Sequence, residues 1–466
     1  MKNWNFRKAV LTREEMPEEH RLAQSLSWPH LIALGVGAIV GTGILTLIGV
    51  GAGKAGPAVI VSFAIAGVIC ACAALAYAEV ATMIPASGSA YTYSYVVFGE
   101  LLAWIVGWSL ILEYSLVVSA VAVGWSGYAA PLAHIPFALA NGPELGGIVN
   151  LPAIAIIAVV AGLLIAGTRE SANLNAALVL VKLAALALFI IVTLPFFDAA
   201  NFDPFMPNGF PRSGPSGSEA GVMAAAAIIF FAFYGFDAIA TAAEEAKNPD
   251  RDLAIGIIGS MLLCVVIYMA VAATAIGAIA YTRFADSPEP LALILRELNQ
   301  PWAAWFLAVS AVIALPTVIL AFFFGQSRIF FTMARDGLLP PVLAKVSSRG
   351  SPVRITIFTA VVVAIIAGIF PLDEIAALAN AGTLCAFVAV CAAMLVMRVR
   401  EPNRERRFKT PLPWVIGIAG IAGCVWLFAS LPSKTQLYFV LWNVIGFVVY
   451  LVYSSPLAHR TRAARG

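Results

Sequence analysis

The chain has 466 residues, of which 61% are hydrophobic and only 11% are charged, and its formal net charge is +3. Its mean hydropathy of +0.92 excludes a water-soluble globular protein, because so few polar side chains cannot cover a solvent-exposed surface. The positive charge lies in short loops between apolar segments, so it does not indicate nucleic-acid binding.

Apolar segments long enough to cross a bilayer follow one another along the chain and predict an all-α integral membrane protein with twelve transmembrane helices. The predicted spans are 29–52, 57–84, 95–130, 151–167, 172–197, 219–243, 254–281, 301–333, 353–370, 373–397, 413–431 and 435–455. The first 28 residues are polar and lack the apolar core of a signal peptide, so we expect a cytoplasmic amino terminus. Twelve spans then make both termini cytoplasmic and leave most Lys and Arg residues in inner segments, as the positive-inside rule requires for an inner (plasma) membrane protein.

The first predicted span contains "GAIVGTGIL" at residues 37–45, in which Gly41, Thr42 and Gly43 favour an interruption of the helix. An unwound segment survives in a membrane only where it is buried or lines a cavity, because every backbone polar group needs a partner. The freed amides then suit a carboxylate and the freed carbonyls suit an ammonium group. The alternative is that these glycines only allow close helix packing.

The sixth predicted span carries a second interruption in "FFAFYGFDAIATAAEEAKNP" at residues 230–249, with Gly235 and the intramembrane acid Asp237. Interruptions at matching places in two halves of a chain point to a binding site between inverted repeats. We therefore predict a five-plus-five inverted-repeat transporter fold with broken helices 1 and 6. Its parts are a cytoplasmic segment (1–28), two repeats (29–197 and 219–397), two further helices (413–455) and a cytoplasmic tail (456–466).

Four motifs in order resemble the amino acid-polyamine-organocation superfamily, and within it bacterial relatives of the cationic amino acid transporters. They are "GVGAIVGTGIL", "YAEVATMIPASGSAYTYSYVVFGELLAWIVGWSLILEYSL", "FFAFYGFDAIATAAEEAKNPDRDL" and "RIFFTMARDGLLP". The resemblance covers nearly the whole chain. It implies amino acid transport by alternating access, with the substrate held between helices 1 and 6.

The resemblance also implies which residues contact the substrate. Its carboxylate would bind the amides of Thr42 and Gly43, and its ammonium group the carbonyls of Ile39, Phe231, Ala232 and Tyr234. Most of these contacts are made by the backbone, which explains why glycine rather than a charged side chain marks the site. No cofactor or metal is implied.

Lys182, in the fifth predicted span, matches a lysine that proton-coupled members of the superfamily carry where sodium-coupled relatives bind sodium. The resemblance therefore implies proton coupling through Lys182 by changes in its protonation. Snorkelling of the side chain to the interface is the alternative.

Glu113 matches a helix 3 glutamate of the cationic branch, and we assign selectivity or gating to Glu113 and Asp237. The alternative for Glu113 is a structural hydrogen-bond acceptor.

Other polar residues in or near the spans favour structural roles. We expect Glu79 to bond to the loop after "PASGSAY", and the basic segment "RVREPNRERRFK" at 398–409 to set the topology, with a lipid or partner site as the alternative. Glu244 and Glu245 are either an inner gate or a solvated helix end. The six cysteines lack metal-ligand spacing and fit small core residues.

Substrate selectivity is left open by the sequence, because the eighth and tenth predicted spans offer apolar or weakly polar side chains and no acid that would bind a guanidinium group. A neutral, small or aliphatic amino acid is therefore at least as compatible as arginine or lysine.

An exchanger without net proton coupling and a non-transporting sensor are the alternative functions. An enzyme is disfavoured, because no H-E-x-x-H motif is present. The expected partners are the amino acid, protons and the lipid bilayer, and the resemblance leaves room for a small membrane protein partner.

Overall fold

The computed structural model describes residues 6–7, 26–84, 88–166, 172–215, 219–243, 246–340 and 353–458, and most of these residues are helical. In chain order the first helices are α1 (Trp28–Ile39), α2 (Thr42–Leu45), α3 (Leu47–Ala55), α4 (Val59–Met83), α5 (Ser89–Val97), α6 (Glu100–Leu132), α7 (Phe137–Ala140), α8 (Leu151–Ala166) and α9 (Ala172–Thr193). The others are α10 (Val222–Ile229), α11 (Asp237–Thr241), α12 (Pro249–Ala278), α13 (Pro290–Glu297), α14 (Pro301–Arg335), α15 (Val353–Ile369), α16 (Leu372–Arg400), α17 (Pro413–Ser430) and α18 (Ser433–Val449).

In the described part of the chain, nine helical segments are long and apolar enough to cross a membrane. One of them, Leu47–Met83, joins the end of the first predicted span to the second. Three shorter apolar helices, α1, α8 and α15, fall in the first, fourth and ninth predicted spans. The structure therefore confirms an all-helical protein with many apolar helices, in the order that the sequence predicts.

Two predicted helix boundaries were wrong. The third span was predicted to begin at residue 95, but α5 ends at Val97 and α6 begins at Glu100. Gly99 separates the two helices with a φ of 103°, a left-handed conformation that glycine adopts without strain. The seventh span was predicted at 254–281, whereas α12 begins with Pro249, a residue that suits the first turn of a helix.

The interrupted sixth segment lies at the centre of the helix bundle. Of the residues in the most apolar stretch of Val222–Thr241, 94% are buried inside the protein. The corresponding buried fraction is 28% for α17 and 22% for Ser433–Ala458. Such deep burial requires neighbouring helices on all sides, and α10 packs against α3, α4, α16 and α17. The outer faces of α17 and α18 expose large apolar side chains such as Trp414, Val425 and Val444. These peripheral helices are the ones suited to contact lipid.

Glu79 is a structural residue, but its predicted partner was wrong. Its buried carboxylate accepts two hydrogen bonds from Arg398 at 2.9 and 2.5 Å, and one from the amide of Thr410 at 2.7 Å. Arg406 adds an ion pair at 3.2 Å. The basic segment that was expected to act through its charge on topology thus also anchors the loop between α16 and α17 to α4. A buried carboxylate is stable with this many charged and amide donors around it.

Candidate functional site

The first helical path is interrupted at Val40 and Gly41, which overlaps the predicted interruption only at Gly41. Helix α1 ends at Ile39, Val40 is extended with a ψ of 92°, and Gly41 is extended with φ and ψ of −140° and −151°. Helix α2 then begins at Thr42, so Thr42 and Gly43 lie in a new first turn rather than in the unwound segment. A second irregularity at Thr46 separates α2 from α3.

The second interruption lies where the sequence predicts it, in the centre of the sixth segment. Helix α10 ends at Ile229, a 3₁₀ turn covers Phe230–Ala232, and α11 begins only at Asp237. Between them, Gly235 has a φ of 117°, which a residue with a side chain would rarely adopt. Both apolar segments therefore change direction deep inside the protein.

The two interrupted segments, 38–43 and 230–237, touch each other through their backbones. A Cβ atom added to Gly43 would lie 2.3 Å from the Cα atom of Ala232, and one added to Gly235 would lie 3.0 Å from the carbonyl carbon of Ala38. By contrast, Gly41 has room, because its nearest neighbour would be Val318 at 3.8 Å. Gly43 and Gly235 therefore allow the backbones of the two segments to pack closely.

All six residues for which the sequence predicts substrate contacts are buried and lie in these two segments. They are Ile39, Thr42, Gly43, Phe231, Ala232 and Tyr234. Amides in the first turn of a helix have no helical acceptor, and this applies to Thr42 and Gly43. The carbonyl of Ile39, however, already accepts a hydrogen bond of 2.9 Å from the hydroxyl of Tyr268.

Lys182 lies beside the first interruption. The side chain is 4% exposed, and its Nζ atom donates to the carbonyl of Gly37 at 2.8 Å and to the hydroxyl of Thr317 at 3.4 Å. The Thr317 hydroxyl donates its own proton to Ala314, so it accepts from Lys182. Lys182 also borders a cavity with apolar walls that include Val40. The lysine therefore ties α9 to α1 and α14 and does not reach the membrane interface.

Asn380 makes the corresponding contact at the second interruption. Its side-chain amide nitrogen donates to the carbonyls of Ala227 and Ile228 at 2.7 and 3.1 Å. Ala227 is two residues before the end of α10, just as Gly37 is two residues before the end of α1. Each interrupted helix thus has its freed carbonyls bound by a polar side chain from a later helix, α9 in one case and α16 in the other.

Glu113 and Asp237 lie together in the core between α6, α11 and α16. Asp237 accepts from the hydroxyl of Tyr114 at 3.1 Å and from the amide of Gly235 at 3.1 Å, so it holds the second interruption in place. Glu113 is fully buried and interacts electrostatically with Asp237 and with the Thr383 hydroxyl, but neither of its carboxylate oxygens has a hydrogen bond of normal geometry among the described residues. The Thr383 hydroxyl donates to the carbonyl of Ala379 at 3.3 Å.

The predicted inner gate lies outside the described residues, because Glu244 and Glu245 are not among them. Close to that point, Arg328 donates to the carbonyl of Thr241 at 3.2 Å, at the end of α11. Within the described part of the chain, no group of His, Cys, Asp or Glu side chains could hold a metal ion.

Tyr268, Asn380 and Thr317 are the site residues that the sequence did not single out. Each is a polar residue in an otherwise ordinary apolar helix, as in "VVIYMAVAA" around Tyr268. Nothing in the local pattern indicates that Tyr268 and Asn380 bind carbonyls of distant interrupted helices, or that Thr317 binds Lys182. Only the packing of α12, α14 and α16 against those helices brings the contacts about.

Comparison with known proteins gives consistent results. Residues 26–454 match the family model described as amino acid permease. The chain is 43% identical to the branched-chain amino acid permease BcaP of Bacillus subtilis, over 94% of each chain. It is 42% identical to the methylthioribose transporter of the same organism, over 96% of this chain and 97% of that protein. It is 36% identical to the vacuolar cationic amino acid transporter 2 of Arabidopsis thaliana, over 88% of this chain and 66% of that protein.

Proposed function

The chain belongs to the amino acid permease family and is a multi-pass membrane transporter of amino acids, not an enzyme, and from that premise we propose that it imports neutral amino acids together with protons. The substrate is held between the two interrupted segments and is exposed to one side of the membrane at a time. The single observation that carries the proton coupling is the buried Lys182, which binds the end of α1 beside the proposed substrate site.

The proposed architecture has twelve spans, formed by two inverted repeats (29–197 and 219–397) and a last pair of helices (413–455), in a plasma membrane with cytoplasmic termini. The correspondence between Lys182 and Asn380 supports the repeat. Each side chain binds the carbonyl of the residue two positions before the end of an interrupted helix, Lys182 at α1 and Asn380 at α10. Lys182 lies on α9, in the fifth predicted span, and Asn380 lies on α16, in the tenth. Equivalent helices of two repeats would make equivalent contacts.

In the proposed binding mode, the amides of Thr42 and Gly43 receive the substrate carboxylate, and the carbonyls of Ile39, Phe231, Ala232 and Tyr234 receive the ammonium group. Burial of these residues and contact between the two segments support a closed site. Substrate entry then requires the segments to separate. Such a movement changes the contacts of the substrate and of Lys182 together, which is how a ligand biases two conformations.

A neutral aliphatic side chain fits the surroundings of the first interruption. Val318 on α14 is the nearest side chain to Gly41, and Phe322, one turn further on, packs against Tyr114 and Tyr234 with ring centroids 5.3 and 6.3 Å apart. These side chains are buried and mostly apolar, so they favour an apolar partner. Two relatives with more than 40% identity are named for branched-chain amino acids and methylthioribose, both without a cationic side chain.

Uptake by the purified protein in proteoliposomes tests this proposal. We expect an inward proton gradient to drive accumulation of leucine and valine, with arginine and lysine transported at least about tenfold less efficiently, a difference of roughly 1.4 kcal/mol in transition-state binding. Replacing sodium by choline should have no effect. Protein-free vesicles and vesicles without a gradient are the controls. If arginine is transported better than leucine, the proposed substrate class is wrong. If no amino acid enters the vesicles, the proposal that the protein imports amino acids is wrong.

A cationic substrate is the second candidate, because the Glu113 carboxylate has no hydrogen bond of normal geometry among the described residues and could bind a cationic side chain. The variant Glu113→Gln separates the two candidates. With a neutral substrate, we expect the maximal rate of leucine transport to fall roughly tenfold, because Glu113 acts in gating, while leucine affinity changes little. With a cationic substrate, arginine affinity in the variant should fall instead. Binding by calorimetry and initial rates of uptake, measured on the same preparation, decide between these outcomes.

A further inference from the structure

Tyr268 on α12 contacts both interrupted segments. Its hydroxyl donates to the carbonyl of Ile39, the last residue of α1, at 2.9 Å. Its ring packs against Phe233 in the second interruption with centroids 5.3 Å apart, and against Phe63 on α4 at 6.3 Å. Tyr268, Phe233 and Phe63 are completely buried, so the ring has fixed neighbours.

The carbonyl of Ile39 needs a partner because the helix ends there. The last carbonyls of a helix lack helical donors, and a buried carbonyl without a partner destabilises the protein. In this structure the Tyr268 hydroxyl supplies that partner. The same carbonyl is one of those to which the proposed function assigns the ammonium group of the substrate.

We propose that the Tyr268 hydroxyl occupies, in the empty protein, the position on the Ile39 carbonyl that the substrate ammonium group takes on binding. The inference rests on the proposed amino acid site. Because the phenol oxygen lies 2.9 Å from the carbonyl oxygen, the exchange requires Ile39 and the Tyr268 hydroxyl to move apart when the interrupted segments separate. Binding then replaces one hydrogen bond to Ile39 by another. The net gain from this contact is small, which keeps the affinity low enough for release of the substrate.

The variant Tyr268→Phe tests this role because it keeps the ring and removes only the hydroxyl. We expect its affinity for leucine to rise about five- to tenfold, equivalent to roughly 1 to 1.4 kcal/mol, because the empty protein has lost a hydrogen bond that the bound substrate restores. The melting temperature of the empty protein should fall, and that of the leucine-bound protein should fall less. The gain should be absent for 4-methylpentanoate, which has the carbon skeleton of leucine without its amino group.

Tyr128→Phe is the matched control. The Tyr128 hydroxyl on α6 donates to the carbonyl of Leu45 at 2.6 Å, at the other irregularity of the same helical path. Leu45 has no proposed contact with the ammonium group. This variant should therefore be less stable than the parent, like Tyr268→Phe, but should gain no affinity for leucine.

Unchanged or weaker leucine binding by folded Tyr268→Phe overturns the proposal, and so does an equal gain for 4-methylpentanoate or for Tyr128→Phe. If Tyr268→Phe does not fold, 4-fluorophenylalanine at position 268 fills the space of the hydroxyl without donating, and the same gain is required of it. These failures are distinct from failure of the proposed function. In the latter case the parent protein itself would bind and transport no amino acid.

Discussion

Replacing Lys182 by methionine is expected to abolish accumulation of leucine driven by an inward proton gradient, while leucine binding and leucine exchange across the membrane persist. Methionine preserves an unbranched side chain of similar length and removes the amino group to which we assign the gain and loss of a proton. The expected loss is complete for accumulation, because coupling to the gradient requires a titratable group. Counterflow of labelled leucine into vesicles preloaded with leucine measures the exchange that remains.

The physical reason is the position of the ammonium group. A charged lysine at the centre of a membrane helix costs about 2.5 to 3.5 kcal/mol on insertion scales, and hydrogen bonds to Gly37 and Thr317 offset part of that cost. In its charged form Lys182 ties α9 to the end of α1. Loss of the proton weakens this tie, because a neutral amine is a poorer donor than an ammonium group. In the proposed mechanism, this weakening links the movement of α1 to proton release.

Thr317→Val provides a graded comparison, because it removes the Thr317 hydroxyl as an acceptor of Lys182 and leaves the lysine in place. We expect reduced but measurable accumulation from this variant. Full accumulation by Lys182→Met would refute the coupling role, and strict sodium dependence of the parent would indicate a sodium symporter instead. Accumulation that requires a counter-substrate inside the vesicles would indicate an exchanger.

The interruptions could be predicted from the sequence because their causes are local. Gly235 supplies backbone freedom at a φ of 117°, and a cluster of glycine and polar residues in an otherwise apolar segment indicates irregular backbone or close packing. The position of Lys182 far from both ends of an apolar span is equally visible in the sequence, whereas its role in coupling stays a prediction. These signals depend on the residue itself and its immediate neighbours in the chain.

The partners of these residues could not be predicted in the same way, because they depend on which helices pack together. Glu79 is bound by Arg398, more than three hundred residues later, and the local sequence suggested a nearby loop instead. Tyr268 and Asn380 are inconspicuous in their own helices, yet they bind the carbonyls that the interruptions leave free. A sequence pattern shows that backbone groups are freed, whereas the tertiary structure determines which side chains bind them.

Replacing Gly43 by alanine is expected to abolish leucine binding and transport and to lower the melting temperature. One cause is that the substrate must approach the backbone closely at this point, which a side chain would prevent. The structure adds a second cause, because the new Cβ atom would lie 2.3 Å from the Cα atom of Ala232. Backbone atoms on a buried segment cannot move aside cheaply, and overpacking of this kind costs about 1 to 3 kcal/mol. The two interrupted segments would be forced apart.

Gly41→Ala is the matched control for this expectation, because a Cβ atom there meets nothing closer than Val318 at 3.8 Å and the extended backbone of Gly41 suits any residue. It should bind leucine with nearly parental affinity and melt at nearly the parental temperature. Combining Gly43→Ala with Ala232→Gly removes the contact between the two Cβ atoms, 2.6 Å apart, but leaves the contact with the Cα atom. We therefore expect the double variant to recover part of the stability and little of the binding. Parental leucine binding by Gly43→Ala itself would mean that the segments can separate at this point without loss, and that Gly43 neither packs nor binds as proposed.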